Sequence, residues 1–340
     1  MKAAILKEYS TPLVVEELPR PKPGPGEVLV KVRACGVCGT DVKTWGGKKT
    51  GIKLPLVMGH EIAGEVVEVG TGIDDIEVGA RGAVHFYITC GQCIFCRTNR
   101  ETICLYPVGR FGFNVDGGFA EYLAAPARNF IPIPDSLPFV NAAILCDAIA
   151  TTYRALSKAS IEPGEYVLVM GLGGLGIHAI QIARAMGANV IGADIDPAKL
   201  EIARQLGFDR LVQFEPGDDF VENVRKLAAG NSVSVIMETV SIPATVDADL
   251  KLLGRAGRLI VAGYTNTPVS VPPYALVLNE LSIYGSRASS REDARAVISM
   301  LEKGIIKSMV SKTYPLAEVN CAIEDLKLGR AIGRQVIAIG

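Results

Sequence analysis

The chain has 340 residues, of which 49% are hydrophobic, and this length suffices for two cores at about 100–200 residues per domain. Its formal net charge of −1 excludes a general electrostatic attraction to nucleic acid or to an anionic membrane. Charged side chains follow Met1 too closely for a signal peptide, and no apolar run approaches the roughly 18 residues of a membrane span. We therefore expect a cytoplasmic protein whose partners are small molecules.

The first part of the chain, to about residue 140, is rich in glycine and proline and carries short β-branched runs such as Val28–Val32. This composition is typical of short strands joined by irregular loops. The sequence therefore predicts a β-rich domain at the start of the chain.

This β-rich part holds a thiol and an imidazole, at Cys38 and His60. His60 alone could equally be an ordinary loop histidine. A catalytic zinc site has three protein ligands and one open position, so a further ligand is expected. The neighbours Cys146 and Asp147 are the candidates.

Four cysteines fall at the spacing C-x2-C-x2-C-x7-C, namely Cys90, Cys93, Cys96 and Cys104. Four thiolates supply the softness and the number of ligands that a closed tetrahedral Zn²⁺ site requires. A disulfide framework is disfavoured in a long chain without a secretory signal. An iron–sulfur cluster is disfavoured because its C-x3-C-P ending is absent: seven residues separate the last two cysteines.

A change of pattern begins near Glu165. The apolar strand Tyr166–Met170 leads into the glycine-rich run Gly171–Gly176, which is followed by a helical pattern at Ile177–Arg184 and a second strand at Asn189–Ala193. This order predicts a βαβ unit, and further apolar stretches downstream predict later strands of the same parallel sheet.

The glycine-rich run fits a dinucleotide-binding turn because it follows a strand and opens a helix. Gly171 allows the tight turn, Gly173 lets a pyrophosphate approach the backbone, and Gly176 lets helix and strand pack closely. Asp194 ends the second strand, where a carboxylate can accept hydrogen bonds from the ribose hydroxyls of NAD and would repel the 2′-phosphate of NADP. The sequence predicts NAD as the cofactor.

Taken together, these motifs resemble the zinc-dependent alcohol dehydrogenases of the medium-chain dehydrogenase/reductase superfamily. The resemblance rests on the elements Cys38–Asp41 and Gly59–Glu61, the four-cysteine cluster, the glycine-rich run and the terminal Gly333–Ile337, and it covers essentially the whole chain. It implies an α/β protein with a GroES-like, β-rich catalytic domain and a doubly wound parallel-sheet Rossmann domain. The first comprises residues 1–148 and 286–340, with a structural zinc lobe at about 88–106, and the second comprises residues 149–285.

The resemblance also implies a catalytic zinc bound by Cys38 and His60, with Glu61 as a carboxylate that can ligate transiently. The family places the remaining ligand six residues before an aromatic residue, and counting back from Tyr153 gives Asp147. We therefore prefer Asp147 to Cys146.

A proton relay follows from the same resemblance. Thr40 matches the residue that passes the substrate proton toward the nicotinamide ribose, and Asp41 matches a carboxylate that orients the histidine ligand. Lys43 stands where many relatives have a histidine that ends the relay, so the relay could end in Lys43, in water or in solvent.

The implied cofactor contacts extend beyond the glycine-rich run. Leu175 would pack near the nicotinamide half and Thr151 would flank the ring, while Lys199 would reach the adenosine ribose and Arg334 would neutralise the pyrophosphate. The full set of predicted cofactor-binding residues is Thr151, Gly171, Gly173, Gly174, Leu175, Gly176, Asp194, Lys199 and Arg334.

The function implied is NAD(H)-dependent oxidation of a primary or secondary alcohol to its aldehyde or ketone, with two zinc ions per chain in a homodimer or homotetramer. A polyol, sugar or threonine dehydrogenase of the same superfamily remains the alternative. His85 could line the substrate cleft. The aromatic residues Trp45, Phe86, Phe111 and Phe113 favour an apolar alcohol.

Overall fold

A computed structural model describes residues 1–340, except for the side chain of Asp218. The chain divides into two compact units. The first unit comprises Met1–Ala150, Ser289–Lys303 and Ser308–Gly340, and the second comprises Thr151–Ala288 and Gly304–Lys307. Both chain ends thus belong to the first unit. Within the described part of the chain, every helix is too short or too polar to cross a membrane.

The strands fall in three stretches of the chain. Those before residue 140 are β1 Lys2–Leu6, β2 Val14–Glu17, β3 Glu27–Val37, β4 Leu56–Val57, β5 Glu61–Val69, β6 Arg81–Val84, β7 Tyr87–Ile88, β8 Gly109–Arg110, β9 Tyr122–Pro126 and β10 Phe130–Pro132. Those of the second unit are β11 Tyr166–Met170, β12 Asn189–Asp194, β13 Leu211–Gln213, β14 Val233–Glu238, β15 Leu253–Val261 and β16 Ser282–Gly285. The last two are β17 Val310–Pro315 and β18 Arg334–Ala338.

The helices are concentrated after residue 138. They are α1 Gly39–Trp45, α2 Ile94–Arg97, α3 Phe139–Ala143, α4 Ala150–Ser157, α5 Gly176–Ala185, α6 Pro197–Gln205, α7 Asp218–Leu227, α8 Pro243–Leu252, α9 Pro273–Asn279, α10 Arg291–Glu302 and α11 Val319–Lys327. A π-helical turn, Leu145–Ile149, joins α3 to α4, and 3₁₀ turns occur at Glu101–Ile103, Ala127–Asn129 and Leu316–Glu318.

The first unit is built on a largely antiparallel sheet in the order β10-β6-β5-β3-β18-β17, with β9 also pairing with β3. β3 is mostly buried, because it pairs with β5 along one edge and with β9 and then β18 along the other. The pairing of β18 with β3 places Val336 and Gln335 opposite Gly36 and Val37. Residues distant in sequence therefore meet where β3 ends.

The second unit contains a parallel sheet in the order β13-β12-β11-β14-β15-β16. Numbered within the unit, this is the order 3-2-1-4-5-6 of dinucleotide-binding folds, in which ligands bind beyond the carboxyl ends of the strands where the order reverses. β11 and β14 are the central strands, and both are almost continuously apolar because helices cover the two faces of a parallel sheet. The turn after β11 lies at this point of reversal.

Two acidic side chains are fully buried in the core of the second unit. Glu238 ends β14 and Asp249 lies on α8, and both are inaccessible to solvent. Glu238 Oε1 accepts hydrogen bonds from the backbone N–H groups of Val240 and Ser241. No donor among the described residues reaches Glu238 Oε2 or either oxygen of Asp249. Burial, with the neighbouring Glu238, raises the pKa of Asp249 well above its usual value.

We predict that Asp249→Asn stabilises the protein. Because the folded state retains a proton on Asp249 that the unfolded chain loses above about pH 4, stability falls as the pH rises through that region. Asparagine cannot ionise and can donate to Glu238, so the free energy of unfolding at pH 8 should rise by about 1–2 kcal/mol and depend less on pH. Urea unfolding from pH 5 to pH 8 measures both effects.

The matched control is Asp247→Asn on the same helix. Asp247 is exposed and forms an ion pair with Lys251, so the change should alter stability by less than about 0.5 kcal/mol. A loss of stability in Asp249→Asn would show that Asp249 is charged and satisfied in the folded protein.

Candidate active site

Cys38 lies directly after β3, at the start of α1. Its backbone N–H donates to Asp41 Oδ2 at 2.8 Å, and its Sγ accepts from the Thr40 N–H at 3.5 Å. The thiol therefore caps the helix while facing the interior, where it is 7% exposed.

His60 and Glu61 lie where the chain enters β5, and both are buried. Asp41 Oδ1 lies 3.1 Å from His60 Nδ1, which fixes the proton on Nδ1 and leaves Nε2 as the ligand atom. Glu61 pairs with Gly36 across the sheet, and a Cβ at Gly36 would lie 1.9 Å from Glu61 Oε2. The glycine of β3 thus makes the space that the glutamate occupies.

Asp147 lies in the π-helical turn between α3 and α4. Its Oδ2 is 3.5 Å from Cys38 Sγ and 3.8 Å from His60 Nε2. Together with Glu61, these side chains place their ligand atoms within 4.8 Å of one another, and all four are buried. In a tetrahedral zinc site with bonds of about 2.3 Å to sulfur and 2.1 Å to oxygen, the sulfur and the oxygen would lie about 3.6 Å apart. The 3.5 Å between Cys38 Sγ and Asp147 Oδ2 therefore suits a zinc ion.

Arg334, the first residue of β18, completes this group. Its Nε donates to Glu61 Oε1 and its Nη2 to Asp147 Oδ2, each at 2.9 Å. Glu61 Oε2 accepts no hydrogen bond within the described residues. This buried oxygen therefore lacks a hydrogen-bond donor. Together with a thiol, an imidazole and a second carboxyl, it forms a set of ligand atoms that fits a divalent cation.

Burial and mutual contact shift the pKa values of this group. Burial raises the pKa of Glu61 to about 8, although Arg334 opposes the shift. Burial would also raise the pKa of Asp147, but His60 and Arg334 outweigh it and hold that pKa well below its usual range. Burial lowers the pKa of His60, whereas the Asp41 and Asp147 carboxyls raise it, and the net shift is upward.

The four-cysteine cluster, Cys90, Cys93, Cys96 and Cys104, forms a second group of potential metal ligands. Four of its sulfur–sulfur distances are 3.5, 3.5, 3.8 and 3.9 Å, close to the roughly 3.8 Å edge of a tetrahedron with Zn–S bonds of about 2.3 Å. The backbone N–H of Leu105 is the main cause that lowers the pKa of Cys93 to about 6. The cluster therefore fits a closed zinc site.

The glycine-rich turn of the second unit lies between β11 and α5. Gly171 has φ +87°, and a Cβ at Gly176 would lie 1.7 Å from the Gly171 carbonyl oxygen, so the turn depends on both glycines. A Cβ at Gly173 would meet no atom within 4 Å. That open space before the N-terminus of α5 suits a pyrophosphate.

Asp194 is held against this turn at the end of β12. Its Oδ2 accepts from the Leu172 N–H at 2.7 Å, and its Oδ1 accepts from the Asp196 N–H at 2.9 Å. Lys199 Nζ lies 3.3 Å from Oδ1. The structure thus groups Asp194 and Lys199 beside the turn.

Three further predicted cofactor contacts also lie in the second unit. Thr151 and Leu175 belong to it, and the Gly174 carbonyl accepts a hydrogen bond from His178 Nδ1.

The contacts of two residues were not foreseen. The predicted contact of Arg334 with a pyrophosphate stays a prediction. Its ion pairs with Glu61 and Asp147 have no sequence signal, because the partners lie 273 and 187 positions away. His85 is fully buried and donates from Nε2 to the Ser289 carbonyl at 2.8 Å, which does not suit a residue that lines a substrate cleft.

Comparisons with known proteins agree across the whole chain. The family model described as alcohol dehydrogenase GroES-like domain matches residues 24–135, and that described as zinc-binding dehydrogenase matches residues 174–303. An alcohol dehydrogenase of Geobacillus stearothermophilus is 37% identical over 100% of both chains. An NAD-dependent alcohol dehydrogenase of Sulfurisphaera tokodaii is 35% identical over 99% of both.

The solved structures include an alcohol dehydrogenase of Aeropyrum pernix, with a TM-score of 0.91 and 35% identity. The alignment covers 99% of this chain and 100% of that one. The predicted fold class, a GroES-like domain with a Rossmann domain, is confirmed. The chain belongs to the zinc-dependent alcohol dehydrogenases of the medium-chain dehydrogenase/reductase superfamily.

Proposed function

We propose that this protein is an NAD(H)-dependent alcohol dehydrogenase that interconverts a primary or secondary alcohol and its aldehyde or ketone. The observation that carries the proposal is the buried convergence of Cys38, His60, Glu61 and Asp147, which offers sulfur, nitrogen and oxygen ligands within 4.8 Å. Family membership and the names of the relatives, alcohol dehydrogenase and NAD-dependent alcohol dehydrogenase, support it.

Cys38, His60 and Asp147 would hold the catalytic zinc, and Glu61 would be the transient ligand. When bound, zinc polarises the alcohol oxygen and lowers its pKa, so that the proton can leave near neutral pH. Asp41 keeps His60 Nδ1 protonated and so directs Nε2 to the ligand group. Arg334 holds Glu61 by Oε1 alone, which leaves Oε2 available.

The substrate proton would leave through Thr40. The Thr40 backbone N–H donates to the Cys38 sulfur at 3.5 Å, so Thr40 lies beside a proposed zinc ligand. Lys43 follows three positions later on the same helix, which places both side chains on one face, and both are partly exposed. Thr40 would accept the proton and pass it along this face toward solvent.

Two aromatic rings favour an apolar substrate. Phe86 and Phe113 pack on the His60 imidazole, with ring centroids 5.1 and 4.9 Å away. Apolar surroundings exclude water from the ligand group and strengthen its electrostatic interactions. We therefore favour an apolar alcohol over a polyol, a sugar or threonine.

The second unit would bind NAD. When bound, NAD accepts a hydride from the carbinol carbon of the substrate. The glycine-rich turn and the N-terminus of α5 would receive the pyrophosphate, and Asp194 with Lys199 would receive the adenosine ribose. Thr151 and Leu175 would contact the nicotinamide half, and Arg334 would contribute positive charge to the pyrophosphate.

The four cysteines would bind a second, structural zinc ion, which gives two per chain. A closed S4 site offers no open position for substrate, so its contribution is to the stability of the surrounding lobe.

Reactions of alcohols with NAD take place in solution, and we propose that the protein acts in the cytoplasm.

The protein would act as a homodimer, or as a homotetramer of two such dimers. β16 is an edge strand of the second-unit sheet, and its Ile283 and Tyr284 are exposed. The adjacent α9 exposes Tyr274, Val277 and Leu278. An apolar edge of this kind is a liability unless it is paired, and pairing of β16 with β16 of a second copy would cover it symmetrically.

The test of the proposed function is Asp147→Asn, measured by zinc content and by NADH formation with a panel of alcohols, polyols and threonine. Removal of the charge should weaken metal binding at this site by about 10–100-fold and lower kcat/KM for the preferred alcohol by at least as much. The matched control, Cys146→Ala, should retain both zinc ions and activity. The reverse outcome would make Cys146 the ligand, and a protein that oxidises no alcohol would refute the activity.

Cofactor preference is expected to depend on Asp194. The unaltered protein should prefer NAD, and Asp194→Ser should raise the kcat/KM ratio of NADP to NAD by about 100-fold, because it removes a like charge from the 2′-phosphate. Asp196→Ser, which removes a neighbouring negative charge but keeps a good N-cap residue for α6, is the control and should leave the ratio unchanged. Equal use of NAD and NADP by the unaltered protein would contradict this role.

The proposed subunit contact is tested by Val277→Glu. Val277 is 72% exposed, so the isolated fold should tolerate glutamate, whereas an uncompensated charge in the buried contact should shift the dimer to monomer at micromolar concentration in light scattering. Val78→Glu, at a first-unit residue that is 65% exposed, should leave the mass unchanged. A monomeric unaltered protein would rule out this assembly.

A further inference from the structure

The π-helical turn that carries Asp147 leaves one carbonyl without its usual helical partner. In an α-helix the Ala150 N–H would donate to the carbonyl of Cys146. Here the Ala150 N–H donates to the carbonyls of Leu145 and Asp147 instead. The Cys146 carbonyl accepts a hydrogen bond from Ser289 Oγ at 2.7 Å, and Cys146 and Ser289 are both completely buried.

We propose that Ser289 is a positioning residue for the catalytic metal: its hydroxyl holds the π-helical turn in the form that places the Asp147 carboxylate beside Cys38 and His60. The peptide that accepts this hydrogen bond joins Cys146 to Asp147, so its orientation fixes the direction of the next side chain. Relaxation of the turn to α-helical hydrogen bonding would rotate Asp147 about the helix axis.

Ser289 can act as a fixed point because the segment around it is anchored on both sides. His85 Nε2 donates to the Ser289 carbonyl at 2.8 Å. Two residues later, the Arg291 N–H and Nε donate to Glu101 Oε1 at 2.9 and 3.2 Å. Glu101 is buried in the lobe of the four-cysteine cluster, three residues before Cys104. The segment thus joins that lobe to the turn that carries Asp147.

The hydrogen bond of Ser289 matters because two groups compete for the Asp147 carboxylate. Asp147 Oδ2 is shared between Cys38 Sγ at 3.5 Å and Arg334 Nη2 at 2.9 Å. A turn that is free to move can direct the carboxylate to the guanidinium alone, where it no longer serves a metal. Ser289 is not one of the four residues whose ligand atoms converge, so it limits that movement from outside the ligand group.

The test is Ser289→Ala, which removes one oxygen atom and leaves the Cys146 carbonyl without this donor. The readout is the affinity of the site for Zn²⁺, measured by competition with a chromophoric chelator, together with the Co²⁺ spectrum of the substituted protein. We expect Ser289→Ala to weaken metal binding at the site of Cys38 and His60 about tenfold, with the four-cysteine site unchanged. The control Ser290→Ala removes the cap of α10 and should stay within about twofold.

An affinity of Ser289→Ala within about twofold of the unaltered protein, or an equal loss in Ser290→Ala, would overturn the positioning role. If thermal unfolding shows that the alanine variant does not fold, Ser289→Cys, which has a similar shape and only a weak donor, replaces it with the same two outcomes. The inference rests on the proposed zinc site. An unaltered protein that binds zinc only at the four cysteines would refute the proposed function, whereas two zinc ions with an unaffected Ser289→Ala would refute the positioning role alone.

Discussion

The buried contact of Arg334 with Glu61 and Asp147 is the interaction on which the first unit depends. Two carboxyls, a thiol and an imidazole lie together away from water, and such a group is costly unless its charges are paired. One guanidinium bonds to both carboxyls at 2.9 Å. It offsets their repulsion while leaving Glu61 Oε2 and the Cys38 sulfur for a metal ion.

The strand order of the first-unit sheet makes this contact possible. β3 ends at Val37, directly before Cys38, β5 begins at Glu61, and β18 begins at Arg334, so the ends of three neighbouring strands deliver three members of the group. Asp147 arrives separately, on a helical turn that departs from α-helical hydrogen bonding. A fold that draws on both ends of the chain allows the metal ligands to be widely spaced in sequence and still lie at fixed distances.

Much of this could be predicted from local patterns. The four-cysteine spacing, the glycine-rich turn after an apolar strand and the acidic end of the second strand each carry their chemistry within a few residues, and the fold class that they indicated is confirmed. The partners of Arg334 and Ser289 could not be predicted, because each contact joins residues more than 140 positions apart. The contact of Arg334 depends on the register of β18, and the contact of Ser289 depends on a carbonyl that the π-helical turn leaves without its α-helical donor. The buried pair Glu238 and Asp249 gives no signal either, since acidic residues at strand ends and on helices are usually exposed.

The most direct test of the central claim is an anomalous difference map, recorded at the zinc absorption edge from crystals of the protein grown with zinc. The proposed ligand set predicts one peak about 2.0–2.3 Å from Cys38 Sγ, His60 Nε2 and an oxygen of Asp147, and a second peak centred among the four cysteine sulfurs. A map without the first peak, or with that metal bound by Cys146 in place of Asp147, would contradict it.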